Sequence, residues 1–295
     1  MKTPGNNNMI CDINTGSCDT VTSTVLPKVK MIYFTDPICS ACWGIEPQLR
    51  KLKLEYGDHF EIEYRMGGLL KSWQSYGGND VNGPASVADH WEEAAKHYQM
   101  PIDANVWRED PLQSSYPASI AFKAAQLQDE QKAIKFLRRL REMVFVEKKN
   151  IAKGGNILQA AEECSLDTQQ LMVDYAGRAT AFFEEDLEIT RQWGVRGFPT
   201  IYFTSEDGSK LKLYGSSSYE QYESALLQLL PGVTKKALQD DDAIFQSYTS
   251  ISEKELAVIK ETGLDKAIYD LHLMQEAGTL SRISTRYGSL WKKIA

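Results

Sequence analysis

Val29-Lys30-Met31-Ile32-Tyr33-Phe34-Thr35 is a mostly apolar run that predicts a strand. Asp36-Pro37-Ile38 then turns the chain, and from Cys39 the period changes. Ile45, Leu49, Leu52 and Tyr56 recur at the spacing of one helix face. Phe60-Glu61-Ile62-Glu63-Tyr64-Arg65-Met66 alternates apolar and polar positions, as a half-buried strand does, and Gly67-Gly68 ends it. A Gly/Ser/Asn-rich loop covers 72–83. Pro84 opens a helix where its missing N–H is tolerated, with Val87, Trp91 and Ala94 or Ala95 at helical spacing. Residues 115–146 hold two more periodic stretches: Ile120, Ala124 and Leu127, then Phe136, Leu137, Leu140 and Val144. Shorter helices fit 155–164, 167–177 and 180–193.

The pattern then reverts to strands. Phe198-Pro199-Thr200-Ile201-Tyr202-Phe203 is a strand headed by a proline, Asp207-Gly208 is a hairpin turn signal, and Lys210–Tyr214 alternates as the partner strand. After Gly215 a helix runs through Tyr222, Leu226 and Leu230. A β-α-β half (29–70) and a β-β-α half (190–230) therefore flank a helical insertion (71–189). Residues 1–28 form a flexible arm. Residues 231–295 are an appendix with an acidic cluster at Asp240-Asp241-Asp242 and helices near 252–262 and 264–277. Arg282 to Lys293 is basic, but charges of both signs balance over the appendix, which reads as a structural or protein-docking tail.

The net charge of −7 argues against nucleic-acid or anionic-membrane partners. No apolar run has the length of a membrane span. Residues 1–8 lack the apolar stretch of a signal peptide, so a cytoplasmic location is expected. There a CxxC is more often catalytic, redox-sensing or metal-binding than a permanent disulfide.

Of the five cysteines, Cys39 and Cys42 carry the candidate chemistry. Cys39 sits at the first turn of a helix, beside unpaired backbone N–H groups and the positive dipole end, which favour a thiolate. Cys42, one turn on, can resolve a mixed disulfide formed at Cys39. Cys164 lies in a helical context with no partner nearby and reads as a small buried hydrophobe. Cys11 and Cys18 are spaced seven positions apart with a turn between them. They form a second redox couple that relays electrons to Cys39 and Cys42, or belong to an inert arm, or complete a four-thiolate zinc site with that pair. Zinc would remove Cys39 from the chemistry, so no metal is assigned. His59, His90, His97 and His272 lack ligand spacing, and Gly77-Gly78 lacks a phosphate-binding context.

Pro199 is the distant half of the site. A proline cannot donate to a ladder and is confined to strand starts and edges. A cis Phe198–Pro199 bond would leave the Phe198 backbone free to pair with an extended substrate whose sulfur meets Cys39.

On these residues the chain resembles the thioredoxin superfamily, and within it the DsbA-like members. Asp36-Pro37-Ile38-Cys39-Ser40-Ala41-Cys42-Trp43, Met66-Gly67-Gly68-Leu69-Leu70, Gln113-Ser114-Ser115-Tyr116-Pro117 and Gly194-Val195-Arg196-Gly197-Phe198-Pro199-Thr200 are similar to the FrnE-like branch. The likeness covers about residues 8–230. It implies an α/β thioredoxin-like fold with a large all-helical insertion between its two halves, followed by a small, mostly helical appendix. It implies Cys39 as the exposed attacking thiolate, Cys42 as the more buried resolving thiol, Pro199 as a cis-proline and Phe198 as a substrate contact. Trp43 and Trp193 read as core or site wall, with Trp43 a candidate substrate contact. The implied activity is dithiol–disulfide exchange or isomerisation on protein or small-thiol substrates. No cofactor is implied beyond the redox-active disulfide, with glutathione or another thiol as candidate co-substrate.

Two departures limit what carries over. Ser-Ala separates the cysteines, not the Pro-His of DsbA or the Gly-Pro of thioredoxin, and Phe198 stands where Val, Ile or Thr is usual. Redox direction is therefore not implied, and oligomeric state is not encoded legibly. A second function remains: relatives of the YjbH type resemble redox-sensitive adaptors that deliver a regulator to a protease without turnover. A third, glutathione-dependent isomerisation of the hydroxychromene-carboxylate type, is disfavoured because such enzymes generally lack an intact CxxC.

Overall fold

A computed structural model describes residues 7–11, 18–22, 29–76, 83–237 and 240–294, with the backbone alone for 7–11 and 18–22. Strands β1 (Asn7–Cys11) and β2 (Cys18–Thr22) pair antiparallel, so the expected arm contains a hairpin. The remainder of residues 1–28 lies outside the described residues, as do positions 77–82 of the Gly-rich loop.

Strand β3 (Val29–Thr35) pairs parallel with β4 (Phe60–Met66) and antiparallel with β5 (Thr200–Thr204), which pairs with β6 (Lys210–Tyr214). The resulting order is β4-β3-β5-β6. β3 is apolar on both faces because both are covered. Val29, Met31 and Tyr33 enter the main core, while Ile32 and Phe34 meet Tyr202, Ile189 and Trp193 on the other side. Helices α1 (Ser40–Gly44) and α2 (Glu46–Tyr56) connect β3 to β4, and α10 (Tyr219–Leu229) follows β6. The register Phe34↔Thr200 brings Pro199 to the end of the sheet where the chain turns toward Cys39.

Among the described residues, seven α-helices fill the insertion: α3 (Pro84–Tyr98), α4 (Val106–Glu109), α5 (Tyr116–Gln126), α6 (Glu130–Phe145), α7 (Gly154–Glu163), α8 (Thr168–Ala176) and α9 (Arg178–Gln192). Alanines 118, 121, 124 and 125 on α5 are buried and let α6, α8 and α9 pack around it. Asp129 and Asp167 cap α6 and α8 by accepting backbone N–H bonds. On α9, buried Asp186 accepts from the Met66 N–H at 2.9 Å and pairs with Arg65 and Lys123, fastening the insertion to β4. This is a thioredoxin-like α/β fold with a helical insertion.

The appendix holds more strand than its pattern predicts. Besides α11 (Asp241–Ser247), α12 (Glu253–Ile259) and α13 (Leu264–Glu276), it forms a three-stranded sheet of β7 (Ser250–Ser252), β9 (Gly288–Lys293) and β8 (Leu280–Thr285). β8 and β9 were hidden by their Ser, Thr, Arg and Lys content, which leaves little apolar alternation. Ile244, Ile251, Leu256, Leu271 and Trp291 give this unit its own core. No helix among the described residues is long and apolar enough to cross a membrane.

Charge clamps the appendix to α2 and α6. Arg50 donates to the Ser250 carbonyl at 2.7 Å, Arg138 grips the Glu255 carboxylate at 2.7 and 3.1 Å, and Lys292 meets Glu147 at 2.9 Å. Burial pushes these carboxyls up, but Arg138 pulls Glu142 and Glu255 below the usual range, while Arg139 and Lys292 bring Glu147 to about 2. A carboxyl depressed on folding adds stability that is fully present above its unfolded value, about 4.3, and is lost as pH falls toward the folded one. The thermal midpoint is therefore expected to fall steadily from about pH 4.5 to about pH 2. A flat midpoint across that window, followed by circular dichroism, would rule this clamp out as an acid-sensitive element.

Candidate functional site

Cys39 is the N-cap of α1, with extended backbone (φ −75°, ψ 110°), and its Sγ accepts the Cys42 N–H at 3.2 Å. The Cys39 thiol also donates to the Phe198 carbonyl at 3.6 Å. The Phe198–Pro199 bond is cis. The backbone carbonyl of Phe198, rather than its ring, thus faces the sulfur. The ring lies against Gly67, where a Cβ would overlap it. Gly44 plays the same part for the Tyr98 ring, whose hydroxyl meets Ser216 at 2.7 Å. Both glycines are needed for close approach.

Asp36 joins three of the matched stretches. Its buried carboxylate accepts from the Ile38 N–H at 3.0 Å, the Leu69 N–H at 2.8 Å and the Ser115 hydroxyl at 2.8 Å. The Ser115 N–H in turn donates to the Leu70 carbonyl at 2.8 Å. One side chain therefore holds the turn before Cys39, the loop after β4 and the start of α5. Sequence reasoning named Asp36 only as a turn residue; an Asp-Pro turn leading into a cysteine was the available signal. Burial pushes the Asp36 carboxyl up despite these donors.

The two sulfurs differ from expectation. Cys39 is only 5% exposed and Cys42 fully buried, so neither is an open nucleophile. Burial, with Cys42 and Asp36 nearby, pushes the Cys39 thiol well up. At Cys42 burial is outweighed by the hydrogen bond with Cys39, the Arg141 charge and the Thr35 and Tyr33 hydroxyls, which hold it below its ordinary value. The expectation that Cys39 is exposed is corrected, because the core closes over it; Cys42 is the more deeply buried of the two, as expected, and the helix terminus does supply its N–H to Cys39.

Trp43 is also corrected. It is fully buried, donates to the Pro101 carbonyl at 3.1 Å and stacks on Phe145, leaving no surface for a substrate. Trp193 packs on Phe34 and Tyr202 behind the sheet. Cys164 is half-buried and burial raises its thiol to about 11, an inert setting. Cys11 and Cys18 occupy opposed positions in the β1–β2 register; their side chains lie outside the description.

A strand–turn–helix dithiol beside a proline-headed strand, with helices inserted between the halves, defines a DsbA-like protein of the thioredoxin class. A sequence model of the family described as Thioredoxin matches residues 33–224. The chain is similar to ClpXP adapter protein SpxH of Bacillus subtilis strain 168, 30% identical over 273 residues that cover 90% of each protein. It is also similar to ClpXP adapter protein SpxH of Halalkalibacterium halodurans, 29% identical over 289 residues, 96% of this chain and 94% of that one. The chain therefore belongs to the thioredoxin family and, within it, to the SpxH family. Among solved structures, cytosolic disulfide reductase DsbM from Pseudomonas aeruginosa shares the fold, with TM-score 0.54 and 21% identity over 68% of this chain and 96% of that one. The two sequence relatives are named as ClpXP adapters, and neither bears the name of the FrnE-like branch.

Proposed function

We propose that this protein is a redox-sensitive adaptor that binds a client protein and presents it to ClpXP, with Cys39 and Cys42 as a sensing pair instead of a turnover site. The observation that carries this reading is the burial of both sulfurs. A turnover enzyme needs an accessible thiolate, and both sulfurs of this pair lie within the core. Similarity to proteins named as ClpXP adapters supports the same reading. Its partners are then proteins, and its place of work the cytoplasm. The opposed register of Cys11 and Cys18 supports their assignment as a second redox couple.

A second reading, dithiol–disulfide exchange on protein or small thiols with glutathione as co-substrate, is favoured by one contact. Cys39 Sγ lies against the Phe198 carbonyl, the position an extended substrate would approach. The two readings separate in one reconstitution with purified ClpXP, the partner in the relatives' name, and Spx as the trial client. The protein is expected to accelerate loss of Spx several-fold, the Cys39→Ala, Cys42→Ala double variant to keep at least half of that acceleration under reducing conditions, and insulin reduction to stay at background. Catalysed insulin reduction without any effect on Spx would establish the enzyme instead.

A further inference from the structure

β6 is the outer strand of the main sheet, with β5 on one side and no strand on the other among the described residues. Backbone bonds from Gly215 N–H to the Pro199 carbonyl and from Ser205 N–H to the Ser209 carbonyl flank the β5–β6 ladder, so Leu211 and Leu213 are the positions that exchange hydrogen bonds with β5. The backbone N–H and C=O groups of Lys210, Lys212 and Tyr214 therefore point away from the sheet. At the opposite edge, α9 packs on β4 and Asp186 takes the Met66 N–H. The two faces of β6 also differ. Leu211 and Leu213 are half-buried, and with Ser224, Ala225 and Gln228 they line an open groove of about 330 Å³ between the strand and α10. Lys210, Lys212 and Tyr214 are exposed on the other face. Lys210 lies over the Trp193 ring at 3.6 Å and Lys212 over the Tyr202 ring at 5.6 Å, and neither forms an ion pair among the described residues. In a chain of net charge −7 this edge is a local patch of the opposite sign.

We propose that the β6 edge is a strand-addition site for an extended segment of a client protein, with acidic residues at every second position and apolar residues between them. The proposal rests on the adaptor reading for the source of that segment. An added strand takes up the outward backbone groups of Lys210, Lys212 and Tyr214. Its side chains directly opposite those residues fall on the lysine face, where a carboxylate across from Lys210 or Lys212 is favoured. Its alternate side chains fall on the α10 face and enter the groove beside Leu211 and Leu213. Lysines on an edge strand also keep identical edges apart. A second copy of this chain paired antiparallel through β6 would set Lys212 against Lys212, or Lys210 against Lys212, and like charges directly opposite are destabilising. The same two lysines favour a segment of opposite charge.

The test titrates the full chain into a fluorescein-labelled peptide in which Glu and Val alternate, with fluorescence anisotropy as the readout. A matched peptide of alternating Lys and Val is expected to bind at least about tenfold more weakly. The Lys210→Glu, Lys212→Glu double variant, altered only at exposed side chains, is expected to reverse that order. A Glu and Val peptide N-methylated at its Glu residues keeps its charge but lacks the donors that face β6, and is expected to lose binding; this arm needs no altered protein. Hydrogen exchange at the Lys212 and Tyr214 amides is expected to slow when the Glu and Val peptide binds, while β4 is unaffected. No binding of either peptide, equal binding of both, an order that a folded double variant leaves unchanged, or full binding of the N-methylated peptide overturns the proposal. A parent that sediments as a dimer with those amides already protected assigns the edge to a second copy and overturns it as well. Peptide binding without accelerated loss of Spx sinks the adaptor reading alone, whereas accelerated loss of Spx without peptide binding sinks the edge site alone.

Discussion

Trp43→Ala is expected to cost about 3–5 kcal/mol of folding stability. The residue directly follows the CxxC, yet its indole is enclosed by the insertion. Its ring lies nearly parallel to Phe145 (centroids 5.5 Å apart, 11° between planes), and the Arg138 guanidinium sits 4.3 Å from the ring centroid. Alanine would open a cavity the size of most of an indole, strand the Pro101 carbonyl that now accepts Nε1, and take from Arg138 a face on which it rests. Trp43→Phe should refill part of the volume while still losing the hydrogen bond, and cost about 1–2 kcal/mol. Urea unfolding checks both values. A loss below about 1 kcal/mol for the alanine variant would mean the insertion collapses onto the gap, contrary to the dense packing around Phe145 and Trp91.

Trp43 also shows where sequence reasoning stopped. The strands at 29–35 and 60–66, the helix beginning beside Cys39 and the proline-headed strand follow from period, turn chemistry and the missing N–H of proline. These are local properties, and the structure repeats them almost residue for residue. Gly67 was read as a strand terminator, whereas its role is set by the Phe198 ring, which arrives from far along the chain. Arg138, Arg139 and Arg141 drew no role from the sequence, where they stand among Leu137, Leu140 and Val144. Only the approach of α6 to β3 and α2 decides that Arg138 and Arg141 point inward while Arg139 turns to Glu147 and Glu163. The helix-terminus argument for Cys39 was sound as far as it went, since the Cys42 N–H does reach Sγ. It lacked the depth of burial, a product of tertiary packing that closes the core over Cys39.

Glu255→Ala is the second large effect and falls on the opposite end of the same ionic cluster. Glu255 is fully buried in α12, accepts both guanidinium prongs of Arg138, lies 3.3 Å from Arg50 Nε and closes a capping box by accepting the Ser252 N–H at 2.6 Å. Alanine leaves two interior guanidinium groups short of a counterion and removes the half of the capping box that satisfies the Ser252 N–H. Breaking a buried pair from one side costs about 3–5 kcal/mol. The loss should be regional, because the contacts removed all join α12 to α2 and α6. Hydrogen exchange is therefore expected to show protection falling in β7, α12 and β9 while β3 and β4 keep theirs. Replacing both partners with apolar residues, Arg138→Met with Glu255→Leu, should recover part of the loss, since Arg138 is then no longer buried beside a missing carboxylate, while Arg50 keeps Glu46 alone. Protection falling equally in β3 and in α12 would show that the appendix and the thioredoxin-like core unfold as one unit, and that the ionic cluster is not a separable clamp between them.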